Sequence, residues 1–201
     1  TLPVGAFVIL DRRDGPVPTR LDPMPPDLAM DALLYQNFTR DRHSADILRL
    51  VAASLSTRPV FRLTYFDLSE AVDCLQDNFH QWPEDRLDAA QDPVFTFRQA
   101  EPAPLEGGKG SDAALFRQRA GSLALFIGKT LYLADAEGRA IHRMDPLAAA
   151  LWALMEDPMS VRDLVDLTVE AFADATPRQV KADIKVLVAR LCQQGLIEGR
   201  G

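Results

Sequence analysis

The sequence contains three histidines and two cysteines, the residue types that most often bind metals or act as nucleophiles. None of His43, His80 and His142 stands at a metal-ligand spacing from another histidine or a cysteine, so we assign each a structural role. Cys74 and Cys192 lie far apart, each among apolar residues at helical spacing. Buried free thiols are therefore favoured over a disulfide or a metal pair, and free thiols indicate a reducing, cytoplasmic setting.

Carboxylates recur every three or four residues on one predicted helix, at Asp67, Glu70, Asp73 and Asp77. They could bind a metal ion, but a solvated helix face has the same spacing and is far commoner. The chain has no glycine-rich phosphate loop, no Gly-x-Ser-x-Gly turn and no Cys-x-x-Cys pair. The sequence therefore predicts no catalytic residue, no metal site and no cofactor.

The charge of the chain is acidic and unevenly distributed. Its 201 residues include 22 Lys and Arg against 29 Asp and Glu, a formal net charge of −7. From Ser111 onward, 11 basic residues face 12 acidic ones, so most of the negative excess lies in residues 1–110. This balance argues against nucleic acid as a partner. A membrane partner is not expected either, because no apolar run approaches the roughly 20 residues of a spanning helix, and residues 1–10 lack the basic start and cleavage site of a signal peptide.

The elements expected to position any site fall into two regions. A stretch rich in proline and glycine, residues 99–112, predicts a linker, so we expect domains at 1–110 and 111–201. The first region suggests a mainly helical α+β fold. Its five prolines at 11–26 predict an extended arm, and helices are expected over 27–38, 44–55 and from 67 to 79, with Asp67 as a cap. Strands are expected over 58–66 and 92–98.

The second region predicts three antiparallel strands followed by three capped helices. The strands are expected at 123–127, 130–134 and 139–144, with Gly128-Lys129 marking a hairpin. On the third strand, Ala140, His142 and Met144 would share one face, and Arg139, Ile141 and Arg143 the other. The helices are signalled by Asp145-Pro146, Ser160 and Thr176-Pro177, and Gly195 would end the last helix in a left-handed conformation. This order is typical of a winged-helix-like module.

Within this module the residues resemble the PqqD-like family, also known as RiPP recognition elements. The resemblance lies in the run from Ile141 to Pro146, the later Leu151-Trp152 pair, and the closing Gly195-Leu196-Ile197. Asp145 stands where the family usually has asparagine, which preserves the helix cap. The first half of the chain resembles no family that we recognise, and the smallest family members lack such a half.

The resemblance implies a non-catalytic function. In this family, the leader of a precursor peptide adds as a strand beside the third strand of the sheet, and its apolar side chains enter a groove against the third helix. Here the edge would be residues 139–144 and the groove wall residues 178–191. The resemblance and the charges together predict that the peptide contacts Arg139, Ile141, Arg143, Arg178, Lys181, Ile184 and Lys185.

The basic members of this set suggest a specificity. Arg139, Arg143, Arg178, Lys181 and Lys185 would form a basic rim around an apolar groove, unless they are simply solvated surface residues. Such a rim would favour a leader with Asp or Glu beside its hydrophobic anchors. Reversing the charge of Arg143 and Lys185 should then weaken peptide binding.

The leading hypothesis is therefore a peptide-binding subunit that presents a precursor peptide to a separate modifying enzyme. Residues 1–110 would dock that enzyme in a heteromeric complex, and an iron-dependent oxidase is one candidate for the partner. Trp82-Pro83 is a candidate anchor on this region. Two alternatives remain open: a winged-helix transcription regulator using Arg178, Lys181, Lys185 and Arg190 against phosphates, and an enzyme whose catalytic residues lie in the first half.

Overall fold

The computed structural model of the chain describes residues 4–36, 41–80, 95–102, 114–172 and 176–200. These residues form two compact units. One comprises the described parts of Thr1–Arg40 and Arg49–Phe95, and the other those of Asp41–Leu48 and Thr96–Gly201. The predicted boundary after residue 110 and most of the predicted linker lie outside the described residues, as does Trp82-Pro83, so these stay predictions.

The first unit contains a small mixed sheet and helices. Its strands are β1 (Phe7–Arg12), β2 (Arg20–Pro23) and β3 (Val60–Tyr65), and its helices are α1 (Pro26–Tyr35), most of α2 (Ser44–Thr57) and α3 (Leu68–Phe79). β3 lies in the centre, parallel to β1 and antiparallel to β2. Leu63, Tyr65 and Ala71 form the buried centre of a small core.

Of two predictions for this unit, the helix cap is formed and the extended arm is not. The cap at Asp67 is confirmed, because its carboxylate accepts backbone N–H bonds from Ser69 and Glu70. The extended arm at 11–26 is wrong: β1 runs to Arg12, and β2 occupies Arg20–Pro23. The prolines are tolerated because Pro16 and Pro18 fall between these strands and Pro23 ends β2, where a missing N–H does little harm. Pro25 and Pro26 stand at the start of α1, where the first N–H groups have no partner within the helix.

The second unit has the predicted winged-helix-like order. After β4 (Phe95–Gln99) and β5 (Leu115–Gln118) come β6 (Leu123–Ile127), β7 (Thr130–Ala134), β8 (Ile141–Met144) and α4 (Pro146–Leu154). They are followed by β9 (Met159–Ser160), α5 (Val161–Ala171), α6 (Pro177–Gln193) and β10 (Ile197–Arg200). The main sheet has the order β4-β6-β7-β8, and a smaller sheet has the order β10-β5-β9. The fold class is therefore α+β, as predicted.

The predicted helix signals in this unit largely hold. Asp145 accepts a hydrogen bond from the Ala148 N–H at 2.8 Å, and Ser160 and Asp163 form a reciprocal capping box. Gly195 ends α6 with φ of +68°, as predicted. Thr176 is the exception, because its hydroxyl makes no capping bond even though Pro177 does open the helix.

The core of this unit lies between the main sheet and the three helices. It includes Leu131, Leu133 and Met144 from the sheet, Leu151 and Trp152 from α4, and Leu164, Ile184 and Leu191 from α5 and α6. Cys192 packs against it as a free thiol, and burial raises the pKa of that thiol. Cys74 is also free. The prediction of two free thiols is confirmed, although both are only half-buried.

Candidate functional site

Strand β8 forms one edge of the main sheet. It pairs with β7 on one side, and no other described strand pairs with it. An edge strand presents backbone donors and acceptors that can pair with another extended chain. The strand begins at Ile141 and not at Arg139 as predicted, because the N–H groups of Arg139 and Ala140 donate to the Asp135 side chain at 2.7 and 2.9 Å instead of joining the ladder.

The hydrogen-bond pattern shows which residues of β8 turn their backbone outward. The Asp135 N–H donates to the Ala140 carbonyl at 3.1 Å, so these two residues form a hydrogen-bonded pair. Such pairs alternate with non-bonded ones along an antiparallel ladder. The next bonded position is therefore Leu133 opposite His142, whereas Ile141 and Arg143 turn their N–H and C=O groups away from β7.

The side chains of β8 divide between two faces as predicted. Met144 lies opposite Leu131 and His142 opposite Leu133, and both partners belong to the core beneath the helices. Ile141 and Arg143 lie opposite Ala134 and Tyr132, on the other face of the sheet. Ile141 is half-buried and Arg143 is exposed.

His142 is half-buried on the helix-facing side. Burial lowers its pKa below the ordinary value of 6.5, and the nearby negative charge of Asp135 offsets part of that shift. This environment therefore favours the neutral imidazole over the charged one. No metal role follows from this position: in the part of the chain that the structure describes, no group of three or more His, Cys, Asp or Glu could hold a metal ion.

This burial predicts a pH dependence of stability. Because the folded-state pKa of His142 lies below that of the unfolded chain, its contribution to the free energy of unfolding is fully present above pH 6.5. That contribution is lost as the pH falls through 6.5 toward the folded-state pKa. We expect the urea midpoint to fall between about pH 7.5 and about pH 5, and to fall less in His142→Gln. Equal losses in both proteins would contradict this assignment.

Helix α6 does not present all the predicted contacts to a ligand. Ile184 is 2% exposed and packs in the core with Val180, Val188 and Leu191. Its side chain supports the groove wall from within and offers no surface to a peptide. The helical spacing that suggested a contact at 184 is the spacing of the buried stripe itself.

The basic residues of α6 lie on a flank of their own. Arg178, Lys181 and Lys185 are exposed and fall within about 60° of one another, since each residue turns an α-helix by about 100°. Arg190 lies about 140° from Lys185 and about 180° from Lys181. Arg190 is the residue that reaches the end of β8, where its guanidinium lies 3.6 Å from the Asp145 carboxylate.

The seven predicted contact residues are therefore not brought together in one groove. Ile141 and Arg143 lie on the strand, Ile184 lies in the core, and Arg178, Lys181 and Lys185 lie on a flank of α6 opposite Arg190. Arg139 is 75% exposed and lies 3.7 Å from Asp135 and 3.6 Å from Glu137, so nearby carboxylates balance its charge. Arg190 instead lies beside Asp145, the residue that follows β8, and apolar residues share its side of α6.

These apolar residues are identified by position and exposure. Val186 and Leu187 precede Arg190 by four and three residues and so share its flank of α6. Val186 is 70% exposed, and Leu147, in the first turn of α4 just after β8, is 40% exposed. We call Val186, Leu187 and Arg190 the α6 flank. Sequence reasoning missed this surface because Leu147 and Leu187 continue the apolar spacing of their helices and so resemble core residues.

A cavity of about 490 Å³ lies away from β8, beside the end of β4 and the end of α4. Arg98 lies over the Phe126 ring at 5.8 Å and 3.8 Å from the Glu156 carboxylate. Trp152 and Gln118 also line it. Since β4 and β8 are opposite ends of the sheet order, this cavity does not border the edge formed by β8.

Among the described residues, no helix is long and apolar enough to cross a membrane. Residues 131–197 match the family described as coenzyme PQQ synthesis protein D (PqqD). No curated protein matches the chain significantly. One solved structure that matches is described as TbiB1 in complex with the TbiA(beta) leader peptide; it is 16% identical, the match covers 42% of this chain and 98% of that one, and the TM-score is 0.39. The C-terminal part of the chain, over residues 131–197, is therefore PqqD-like, as its cap, core and exit residues predicted.

Proposed function

We propose that this chain binds an extended segment of a precursor peptide as an added strand on β8, in the synthesis of a ribosomally made, modified peptide. The observation that carries the proposal is the position of β8 at the edge of the main sheet, where Ile141 turns its backbone groups away from β7. The match of residues 131–197 to the PqqD family supports the same function. Backbone pairing supplies affinity for any extended chain, and side-chain pockets beside the edge supply selectivity.

Side chains of the bound strand would alternate between two environments. Those on the helix-facing side would lie next to His142 and the α6 flank, which favours apolar residues. Those on the other side would lie next to Ile141 and Arg143, where a carboxylate could approach the guanidinium. A leader with acidic and apolar residues at alternate positions fits this arrangement.

Charge reversal separates the two groups of basic residues. Arg143→Glu should weaken the binding of an acidic peptide about fivefold, because Arg143 belongs to the edge strand itself. Lys185→Glu makes the same change of charge on a flank about 140° from Arg190, and should leave the affinity within about twofold. Fluorescence anisotropy with a labelled peptide at low and high salt measures both. Equal losses of affinity in the two variants would instead support the continuous basic rim that the sequence suggests.

We further propose that the chain has no catalysis of its own and acts in a heteromeric, cytoplasmic complex with a modifying enzyme. An iron-dependent oxidase is the candidate partner, and residues 1–110 are the candidate docking region. Purification of the tagged chain from its native source, with mass spectrometry of large and small co-purifying species, tests this. Recovery of a peptide together with an enzyme supports the proposal. Recovery of a peptide with no enzyme would contradict the complex.

The peptide-binding proposal has a direct structural test. Synthetic peptides that tile the short open reading frames next to the gene are immobilised and probed with the whole chain. The strongest binder is then titrated into isotope-labelled protein, and we expect the amides of Ile141 and Arg143 to become protected from exchange. Binding with no protection along β8 would contradict the proposed edge.

One observation favours the alternative function, a DNA-binding regulator. Arg178, Lys181 and Lys185 form an exposed basic stripe on the third helix of the module, the helix that enters the major groove in related folds. The net charge of −7 opposes it. A mobility shift of generic duplex DNA that falls steeply with salt, and is lost in Lys181→Glu, would favour this reading.

A further inference from the structure

Residues 41–48, at the start of α2, belong to the same compact unit as β8. Ser44 lies against the turn between β7 and β8, with its N–H donating to the Gly138 carbonyl at 2.9 Å. Its hydroxyl donates to the Asp135 carboxylate at 3.1 Å. Ser44 is 2% exposed and Asp135 is 3% exposed, so this hydrogen bond is shielded from water.

One carboxylate oxygen of Asp135 accepts hydrogen bonds from three residues at this turn. The same Oδ1 atom that accepts from Ser44 also accepts from the N–H groups of Arg139 and Ala140. Ala140 directly precedes β8, so Ser44 is linked through one carboxylate to the point where the edge strand begins. Burial opposes the charge of Asp135, but these hydrogen bonds and the charge of Arg139 outweigh it and hold its pKa below the ordinary value.

A second contact joins the same two segments. Gly138 has φ of +75°, a conformation that favours glycine, and a Cβ atom placed on it would lie 2.2 Å from Cδ2 of His43. The imidazole of His43 therefore occupies the space over the turn. His43 and Ser44 together close both the side-chain and the backbone face of the turn.

We propose that His43 and Ser44 are positioning residues for the peptide edge: they hold the β7–β8 turn and so keep β8 ordered for strand addition. This inference rests on the proposed function. An edge that is already ordered loses less conformational entropy when a peptide binds, which increases affinity. Loosening the turn should therefore weaken binding without removing any residue that contacts the peptide.

Ser44→Ala in the full chain tests the first step without any ligand. We expect the amides of Arg139 and Ala140 to exchange with solvent at least about threefold faster. Both donate to the Asp135 carboxylate, which loses its hydrogen bond from the Ser44 hydroxyl in this variant. The amides of β8 should follow. The matched control is Thr168→Val, which removes another buried hydroxyl bond, to the Leu164 carbonyl on α5, and should leave exchange in residues 135–144 unchanged.

A double-mutant cycle tests the second contact. Gly138→Ala should accelerate exchange along β8, both through its strained φ and through the collision with His43. In a His43→Ala background only the strain remains, so the added effect of Gly138→Ala should be smaller. Equal effects in both backgrounds would overturn the role of His43.

The effect on peptide binding is measured with a fluorescent probe, the peptide that binds most strongly among the immobilised synthetic peptides. We expect Ser44→Ala to weaken its binding about three- to tenfold, and Thr168→Val to leave binding within about twofold. Faster exchange with unchanged affinity would overturn the positioning role, and so would unchanged exchange. If no peptide protects the β8 amides of the wild-type chain from exchange, the proposed function fails instead. The exchange rates of the peptide-free variants still decide whether His43 and Ser44 order the turn.

Discussion

Replacing Ile141 with proline should reduce peptide affinity at least about tenfold while the chain stays folded. The Ile141 N–H points away from β7, so proline removes a donor from the open edge and none from the β7–β8 ladder. Ile141 is also the first residue of β8, a position where strands accept proline. Anisotropy with the labelled peptide measures affinity, and urea unfolding followed by circular dichroism measures stability.

The control for this variant is Ile141→Val, which keeps the backbone donor and nearly the same side chain. It should bind within about twofold of the wild type. The complementary experiment changes the peptide: methylation of its backbone nitrogens should weaken binding only at every second position, since only alternate residues of an added strand face β8. A folded Ile141→Pro protein that binds like the wild type would exclude strand addition at this edge.

Replacing Trp152 with alanine should lower the free energy of unfolding by about 3–5 kcal/mol. The indole is 2% exposed in the core, and its Nε1–H donates to the Leu196 carbonyl at 3.2 Å. Leu196 follows the Gly195 end of α6, so the side chain joins α4 to the segment that leaves the last helix. Denaturant titration of the purified variant measures the loss.

Trp152→Phe separates the two contributions of this residue. It keeps most of the buried aromatic surface but removes the indole hydrogen bond, so it should lose only about 1–3 kcal/mol. If alanine cost no more than phenylalanine, the ring would not be packed in the core. Because Trp152 lies away from the edge strand, the remaining folded fraction of either variant should bind peptide normally.

Local signals in the sequence were sufficient to predict most of the secondary structure of the C-terminal module. The three strands, their alternating faces and the three helices follow from spacing, and the caps at Asp145 and Ser160 are formed as predicted. A cap or a turn depends on residues within a few positions of one another, so a single sequence contains the necessary information. The same holds for Gly195, whose left-handed conformation ends α6.

Strands that depend on distant partners were missed. β5, β9 and β10 are short, and each is stable only because a strand far along the chain pairs with it. β4 was foreseen as a strand, but its place beside β6 was not. Short segments carry too little periodicity to predict such pairing, and their hydrogen bonds form only once the core brings them together.

The sequence by itself determined which residues of β8 share a face, which residues of α6 are helical and where both elements end. Only the tertiary structure decided that the Arg190 side of α6 meets Asp145 at the end of β8, that Ile184 is buried, and that His43 and Ser44 close the β7–β8 turn. Periodicity defines the faces of each element, but it does not define which face meets which neighbour. That choice depends on burying the apolar surfaces of several elements at once, and residues 44 and 135 meet only as a result of it.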